Sequence, residues 1–192
     1  MEKALKRIVL PAAIVALIVG LDQWVKILPL KYIRGTEGFY IINKVLRICF
    51  VKNEGMAWGM LQNKQVLFII LTPIVVAGLV YVYYRMPFEK KFVWLRICDI
   101  FLVGGAIGNL IDRIFRGEQL FHGYVVDMIY VEIINFPVFN IADSFITVGF
   151  AMLVILFIFV YKESDFDLIF GGSKKKKAAD ENKEAVTEDE NN

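Results

Sequence analysis

A bundle of four transmembrane helices carrying a small sheet on one membrane surface is the fold that this sequence predicts, and three observations predict it. Of the 192 residues, 57% are hydrophobic and 14% aromatic, far more apolar surface than a soluble domain of this size buries. The apolar residues gather into four runs near the length of about 20 that a bilayer requires. Between the first two runs lies a stretch rich in β-branched and aromatic residues, too long for a tight turn and wrong for a helix.

The first span is expected from Ile8 to about Leu28, after the basic start MEKALKR. It passes into DQWVK without a small-x-small cleavage site, so it is expected to remain as a signal anchor. From about residue 29 to 65, FYIINKVLRICFV brackets the polar pair Asn43-Lys44 and is expected to form a hairpin or small sheet on the outer surface. VKNEGMAWGM follows, with Asn53 and Gly55 as turn formers and Gly59 permitting close backbone approach; ordinary turn chemistry accounts for this segment taken alone. The second span is expected from Val66 to about Tyr84, the third from Phe92 to about Ile111 and the fourth from Pro137 to Tyr161. Gly104, Gly105 and Gly108 give the third a small-residue face for a neighbouring helix.

Residues 1–161 therefore read as one membrane domain. Residues 162–192, with GGSKKKK and AADENKEAVTEDENN, lack apolar periodicity and are expected to form a disordered charged cytoplasmic tail. With both ends inside, the inner segments hold thirteen Lys and Arg residues and the outer segments nine, which places both termini in the cytoplasm by the positive-inside rule. Cys49 and Cys98 fall in an external segment and a membrane helix, so they form no disulfide framework.

Chemistry is signalled by acids placed where acids are expensive. Asp143 lies within FNIADSFITVGFAMLVILFIFV, and Asp127 lies just upstream in the apolar GYVVDMIYV. A carboxylate at such a position costs roughly 2.5–3.5 kcal/mol on insertion scales, so it faces protein or a wet cavity. Capping or a satisfied buried acid would account for either one alone; two together suggest a site. In GNLIDRI, Asn109 shares a helical face with Asp112 and Arg113. Asp22 and Lys26, four apart in DQWVK, can form a structural ion pair at the membrane boundary or serve the chemistry.

Taken in order, DQWVK, NEGMAWG, GGAIGNLIDRI, VVDMI and FNIADSFI resemble the lipoprotein signal peptidase (signal peptidase II) family over roughly residues 8 to 161. The resemblance implies an intramembrane aspartic endopeptidase that removes the signal peptide from diacylglyceryl-modified bacterial prolipoproteins, cutting before the lipidated cysteine. It places Asp127 and Asp143 on the catalytic pair. Asn53, Gly55, Asn109, Asp112, Arg113 and Asn140 fall on positions that bind substrate or support the site, and Asp22 and Lys26 on a structural or lipid-facing pair. Trp58 and Met128 stand where the family often has Phe, a change of pocket shape that keeps the apolar character.

Two close carboxylates cannot easily both ionise, so one serves as base and the other as acid, and no metal or cofactor is expected. The expected partners are the lipidated precursor and membrane lipid, with no nucleic acid, and the protein is expected to be a monomer. The expected location is the bacterial cell membrane, with the active site near the extracytoplasmic face. The lone His122 has no partner at a metal-ligand spacing, and Ser144 has no Lys or His beside it in its motif. A small ion-binding channel, transporter or scaffold subunit is the alternative. It predicts polar residues spread toward the midplane, whereas here they gather at one face.

Overall fold

The computed structural model describes residues 5–55 and 65–171. The expectations for Trp58, Gly59 and the lysine run of the tail fall outside them. Among the described residues, four helices are long and apolar enough to cross a membrane: Leu5–Ile33, Gln65–Arg85, Lys90–Phe115 and Ile141–Phe159. The regular part of the first is α1 (Leu10–Leu28), flanked by wider π-helical turns at Leu5–Val9 and Pro29–Ile33. Proline cannot donate to a helix ladder, and the second wide turn opens at Pro29. The other spans contain α2 (Gln65–Arg85), α3 (Val93–Phe115) and α4 (Ile141–Phe159).

The bundle is organised around α3. Its span is 56% buried, against 6–11% for the other three, so those present most of their surface outward. Leu67, Ile70 and Ile74 of α2 and Phe150, Ile155 and Ile158 of α4 are exposed apolar side chains, which lipid accommodates without cost. The glycines of α3 admit the neighbours. A Cβ on Gly104 would come 2.9 Å from Ile18, and one on Gly108 would come 2.8 Å from the Asp22 carboxylate.

Three antiparallel strands, β1 (Phe39–Ile42), β2 (Leu46–Asn53) and β3 (Val125–Val131), lie in the order β1-β2-β3. The expected element between the first two spans is thus a hairpin to which a third strand is added from beyond α3. Val51 pairs with Asp127 and Asn53 with Val125. A bulge between Ile48 and Val51 shifts the register there, the kind of local irregularity that re-aims side chains beside a site.

The first and third spans run longer than expected, to Ile33 and Phe115, and two further boundaries differ in ways that change the fold. The fourth helix starts at Ile141 rather than Pro137, because Phe139 exchanges backbone hydrogen bonds with Ile129 of β3 and Asn140 caps the helix. Residues 163–170 are not a disordered tail: they form α5 (Glu163–Phe170), whose Ile169 joins a buried cluster with Met86, Phe92, Leu95, Cys98, Leu156 and Tyr161. Lys91 pairs with Asp165 at 2.5 Å, and the Arg85 guanidinium donates to the Ile169 carbonyl at 2.9 Å. Phe166 and Ile169, three apart, put apolar surface on one face, and that burial offsets the ordering entropy of the short helix. Both cysteines are free and buried.

Candidate active site

Each acid is delivered by a different element. Asp143 occupies the third position of α4, where helix N-termini favour an anion. Asn140 caps the helix: its Oδ1 accepts from the Asp143 N–H at 2.9 Å, and Asp143 Oδ2 accepts from the Asn140 N–H at 3.2 Å. This reciprocal pair is a capping box, in which two orphan donors are satisfied at once. Asp127 arrives on β3 and is 1% exposed, whereas Asp143 keeps partial access to its surroundings.

One residue, with its neighbour Asn109, ties the acids together. With its oxygen committed to the helix, the fully buried Asn140 turns its Nδ2 outward to donate to Asp127 Oδ1 at 2.7 Å and to Asn109 Oδ1 at 3.1 Å. Asn109, from α3, donates to Asp143 Oδ1 at 2.7 Å. Asn53, at the end of β2, donates to Asp127 Oδ2 at 2.7 Å, while its Oδ1 accepts from the Gly55 N–H at 2.9 Å and shapes the turn. All four carboxylate oxygens are therefore held by asparagine donors. Arg113 steadies the same turn from α3, donating to the Gly55 carbonyl at 3.1 Å and the Asn109 carbonyl at 3.3 Å, with its guanidinium 4.9 Å from the centre of the Phe68 ring.

Behind these residues lies a buried charged network. Lys26 Nζ donates to Asp22 Oδ2 at 2.7 Å and to Asn109 Oδ1 at 3.2 Å, and pairs with Asp112 Oδ2 at 2.8 Å. Asp22, Lys26 and Asp112 have no exposed surface. The possibility that the Asp22–Lys26 pair faces lipid is therefore corrected, and Asp112 has no surface with which to touch a substrate. Asp22 Oδ1 accepts from the Ala142 N–H at 2.9 Å, and Asp112 Oδ2 from the Val126 N–H at 3.2 Å, so the network grips the residue next to Asp143 and the residue next to Asp127.

Gln23 and Arg116 complete it. Arg116 donates to Asp112 Oδ1 and Gln23 Oε1, both at 2.8 Å, and Gln23 donates to Asp112 Oδ1 at 3.0 Å. Neither residue was singled out in the sequence, although Arg116 stands four residues after Asp112, a spacing that pairs charges on a helix. His122 lies apart, its ring Nδ1 within 3.1 Å of the Leu120 carbonyl oxygen, and Ser144 donates to the Asn140 carbonyl as first-turn serines do.

The environment of Asp127 favours its protonated form. Burial, reinforced by the charge of Asp143, pushes its carboxyl up from 3.8 to about 7, against the opposing hydrogen bonds of Asn53 and Asn140 and the charge of Lys26. A carboxyl whose ionisation is held up to about 7, together with a second carboxylate that its surroundings can reach, is an arrangement suited to activating water against a carbonyl.

A membrane bundle with a paired-aspartate site at one end defines a class, the membrane-embedded aspartic peptidases. The family model described as "Signal peptidase (SPase) II" matches residues 14–159. The chain is 41% identical over 160 residues to the lipoprotein signal peptidase of Geobacillus thermodenitrificans, covering 82% of this chain and 95% of that protein. It is 37% identical over 152 residues to that of Streptococcus thermophilus, covering 79% and 94%. Two solved structures described as a bacterial membrane enzyme superpose with TM-scores of 0.69 and 0.66, at 32% and 31% identity. They cover 81% and 80% of this chain and 93% and 96% of theirs. The chain belongs to the signal peptidase II family and is a multi-pass membrane protein.

Proposed function

We propose that Asp127 and Asp143 form the catalytic dyad of an endopeptidase that removes signal peptides from diacylglyceryl-modified prolipoproteins, cutting before the lipidated cysteine. The observation that carries this reading is Asn140, whose side-chain amide donates to the Asp127 carboxyl and whose backbone N–H donates to that of Asp143, so that one residue joins both acids. Asp143 takes a proton from water as the oxygen attacks the scissile carbonyl, and Asp127 gives its proton to the carbonyl oxygen, forming a tetrahedral diol. Collapse of the diol breaks the C–N bond. The leaving amine gains the proton that Asp143 had taken, and a diol hydroxyl returns one to Asp127, so the dyad ends as it began. Asn53, Asn109 and Asn140 fix the acids, and Arg113 holds the Asn53–Gly55 turn beside them. Asp22, Lys26 and Asp112 support this arrangement from behind.

The acyl chains of the substrate supply placement. Each buried methylene contributes about 0.8 kcal/mol, so two chains outweigh the few side chains around a scissile bond. The test is cleavage by the purified protein, in lipid, of a prolipoprotein with and without its diacylglyceryl group. Efficient cleavage of the lipidated form alone is expected, and equal cleavage of both would overturn the placement argument. No cleavage of either by folded protein would favour the ion-binding alternative.

We infer that the dyad lies at the extracytoplasmic face of the bacterial cell membrane, with both termini in the cytoplasm. The even number of spans and the excess of Lys and Arg in the inner segments support this orientation. In a variant lacking Cys49 and Cys98, cysteines at Thr36 and Glu118 should react with an impermeant thiol reagent in intact cells, and one at Glu89 should not. The reverse pattern would invert the orientation.

A further inference from the structure

At the end of the bundle away from Asp127 and Asp143, α1, α2 and α3 enclose a groove of about 410 Å³ whose lining includes none of the residues that hold the two acids. It runs along α1 from Arg7 to Val19, a length of roughly 18 Å at the helical rise. That length matches one leaflet's share, about 15 Å, of a bilayer's hydrocarbon core. The walls are almost entirely apolar, from Pro11 and Val15 on α1 to Val103 and Ile107 on α3.

Two charged side chains interrupt that lining. Asp99 on α3 is 5% exposed, and its Oδ1 has no hydrogen-bond partner among the described residues, the situation in which a buried acceptor is most costly. Arg96, one turn earlier, is turned away: it donates to the carbonyls of Met86 and Pro87 and lies 4.7 Å from the centre of the Phe88 ring. Arg7 stands at the groove's basic end, where one terminal nitrogen donates to the Tyr84 carbonyl at 2.6 Å. Asp99 lies roughly 9 Å along the helix from Val93, just beneath a headgroup layer about 5–7 Å deep.

We propose that this groove is a binding site for one ethanolamine phospholipid of the leaflet opposite the dyad, with an acyl chain along α1, the phosphate against Arg7 and the ammonium on Asp99. The order of charges favours this occupant. A zwitterionic headgroup offers an anion and an N–H cation within a few ångströms of each other, complementary to a guanidinium and an unpartnered carboxyl on one apolar groove. A choline headgroup has the same net charge but no N–H to donate, and a glycerol headgroup has donors but no cation. The headgroup contact at Asp99 lies about 15 Å along α3 from Asn109, and only the apolar end of the groove, at Val19 and Ile107, comes within a turn of the charged network.

The test uses the full chain, stripped of lipid in detergent and then given dioleoyl phosphatidylethanolamine, phosphatidylcholine or phosphatidylglycerol, with retained lipid counted by native mass spectrometry. One ethanolamine lipid per chain should be retained at least about tenfold more strongly than the choline lipid, as one charge-assisted hydrogen bond implies. Asp99→Asn should erase that preference, and Arg7→Gln should weaken retention of both phospholipids. Ala16→Trp, which fills the groove from α1, should abolish retention, and it keeps the test decisive if the Asp99 variant fails to fold. All three variants, when folded, should still cleave prolipoprotein. Equal retention of ethanolamine and choline lipids by the unmodified protein, preference for the glycerol lipid, or a preference that survives Asp99→Asn would each overturn the proposal.

Discussion

Replacing Asp127 with Asn separates the energetic cost of the proposed dyad from its chemistry. The rise from 3.8 to about 7 corresponds to about 4 kcal/mol between the protonated and ionised carboxyl. Because the folded value is raised, folding favours the protonated form. This contribution is fully present below about pH 4, declines as the pH rises toward 7 and is lost above it. Asn carries no charge at any pH, so the variant should lack that decline.

Asn has its own cost, because Asn53 and Asn140 donate to different Asp127 oxygens and an amide can accept only one of them. The donor left facing an NH2 group costs about 1–3 kcal/mol. Below about pH 4 the variant should therefore be less stable than the parent. Above pH 8 it should be more stable by about 1–3 kcal/mol, each kcal/mol being roughly 2–4 °C in Tm for a chain of this size.

Thermal unfolding in detergent, followed by a thiol dye that reports exposure of the buried Cys49 and Cys98, would give the two Tm curves. They should be measured at one scan rate, because unfolding of a membrane protein is commonly irreversible. The curves should cross, while cleavage is abolished at every pH and is no lower in a variant that also carries Asp143→Asn. In the parent, cleavage should fall as the pH rises through about 7 and Asp127 loses the proton it must donate. Parallel Tm curves, or substantial turnover by the folded variant, would refute the assignment of Asp127 as the buried proton holder.

Arg113→Lys should lower kcat/KM at least about tenfold without unfolding the protein, since an ammonium cannot span the Gly55 and Asn109 carbonyls and cover Phe68 together; steady-state cleavage would show it. Lys26→Met leaves Asp22 and Asp112 buried without their shared cation and should destabilise by about 3–5 kcal/mol, so an unchanged Tm would show that the network does not hold the bundle. A chain ending after Gly171 should keep its Tm and activity. One ending after Tyr161 should lose Tm, because burial of a side chain such as Ile169 contributes about 1.5–3 kcal/mol.

What the sequence shows of this protein follows from which signals are local. Four apolar runs give four spans because length and hydropathy alone decide insertion. The two acids stand out because a charge in such runs is costly wherever it lies. The strand carrying Asp127 was hidden for a physical reason: Val125, Val126, Asp127 and Met128 are all buried, so the alternation that marks a half-exposed strand is missing and the segment reads as one more apolar run. α5 was obscured by its charged neighbours, since the apolar Phe166 and Ile169 that dock it are only two residues in a polar segment.

The linkages within the site were the least legible. With the fourth span expected from Pro137, Asn140 falls inside the helix; it is instead the cap, and a cap needs only its oxygen. The remaining NH2 group is free to bond across to β3 and α3, and nothing in the spacing of Asn140, Asp127 and Asn109 fixes where those elements lie. The same holds for Lys26, whose local partner is Asp22 but whose contacts to Asp112 and Asn109 cross 86 and 83 residues of chain. Gly108 connects the two kinds of signal. Its lack of a side chain is visible in the sequence as a small-residue step, and the structure shows that the space it leaves is filled by the Asp22 carboxylate. The close approach of α1 to α3 and the placement of the charged network are therefore one requirement. A Gly108→Ala change would press on the carboxylate that holds Ala142, and through it on the first turn of α4 that presents Asp143.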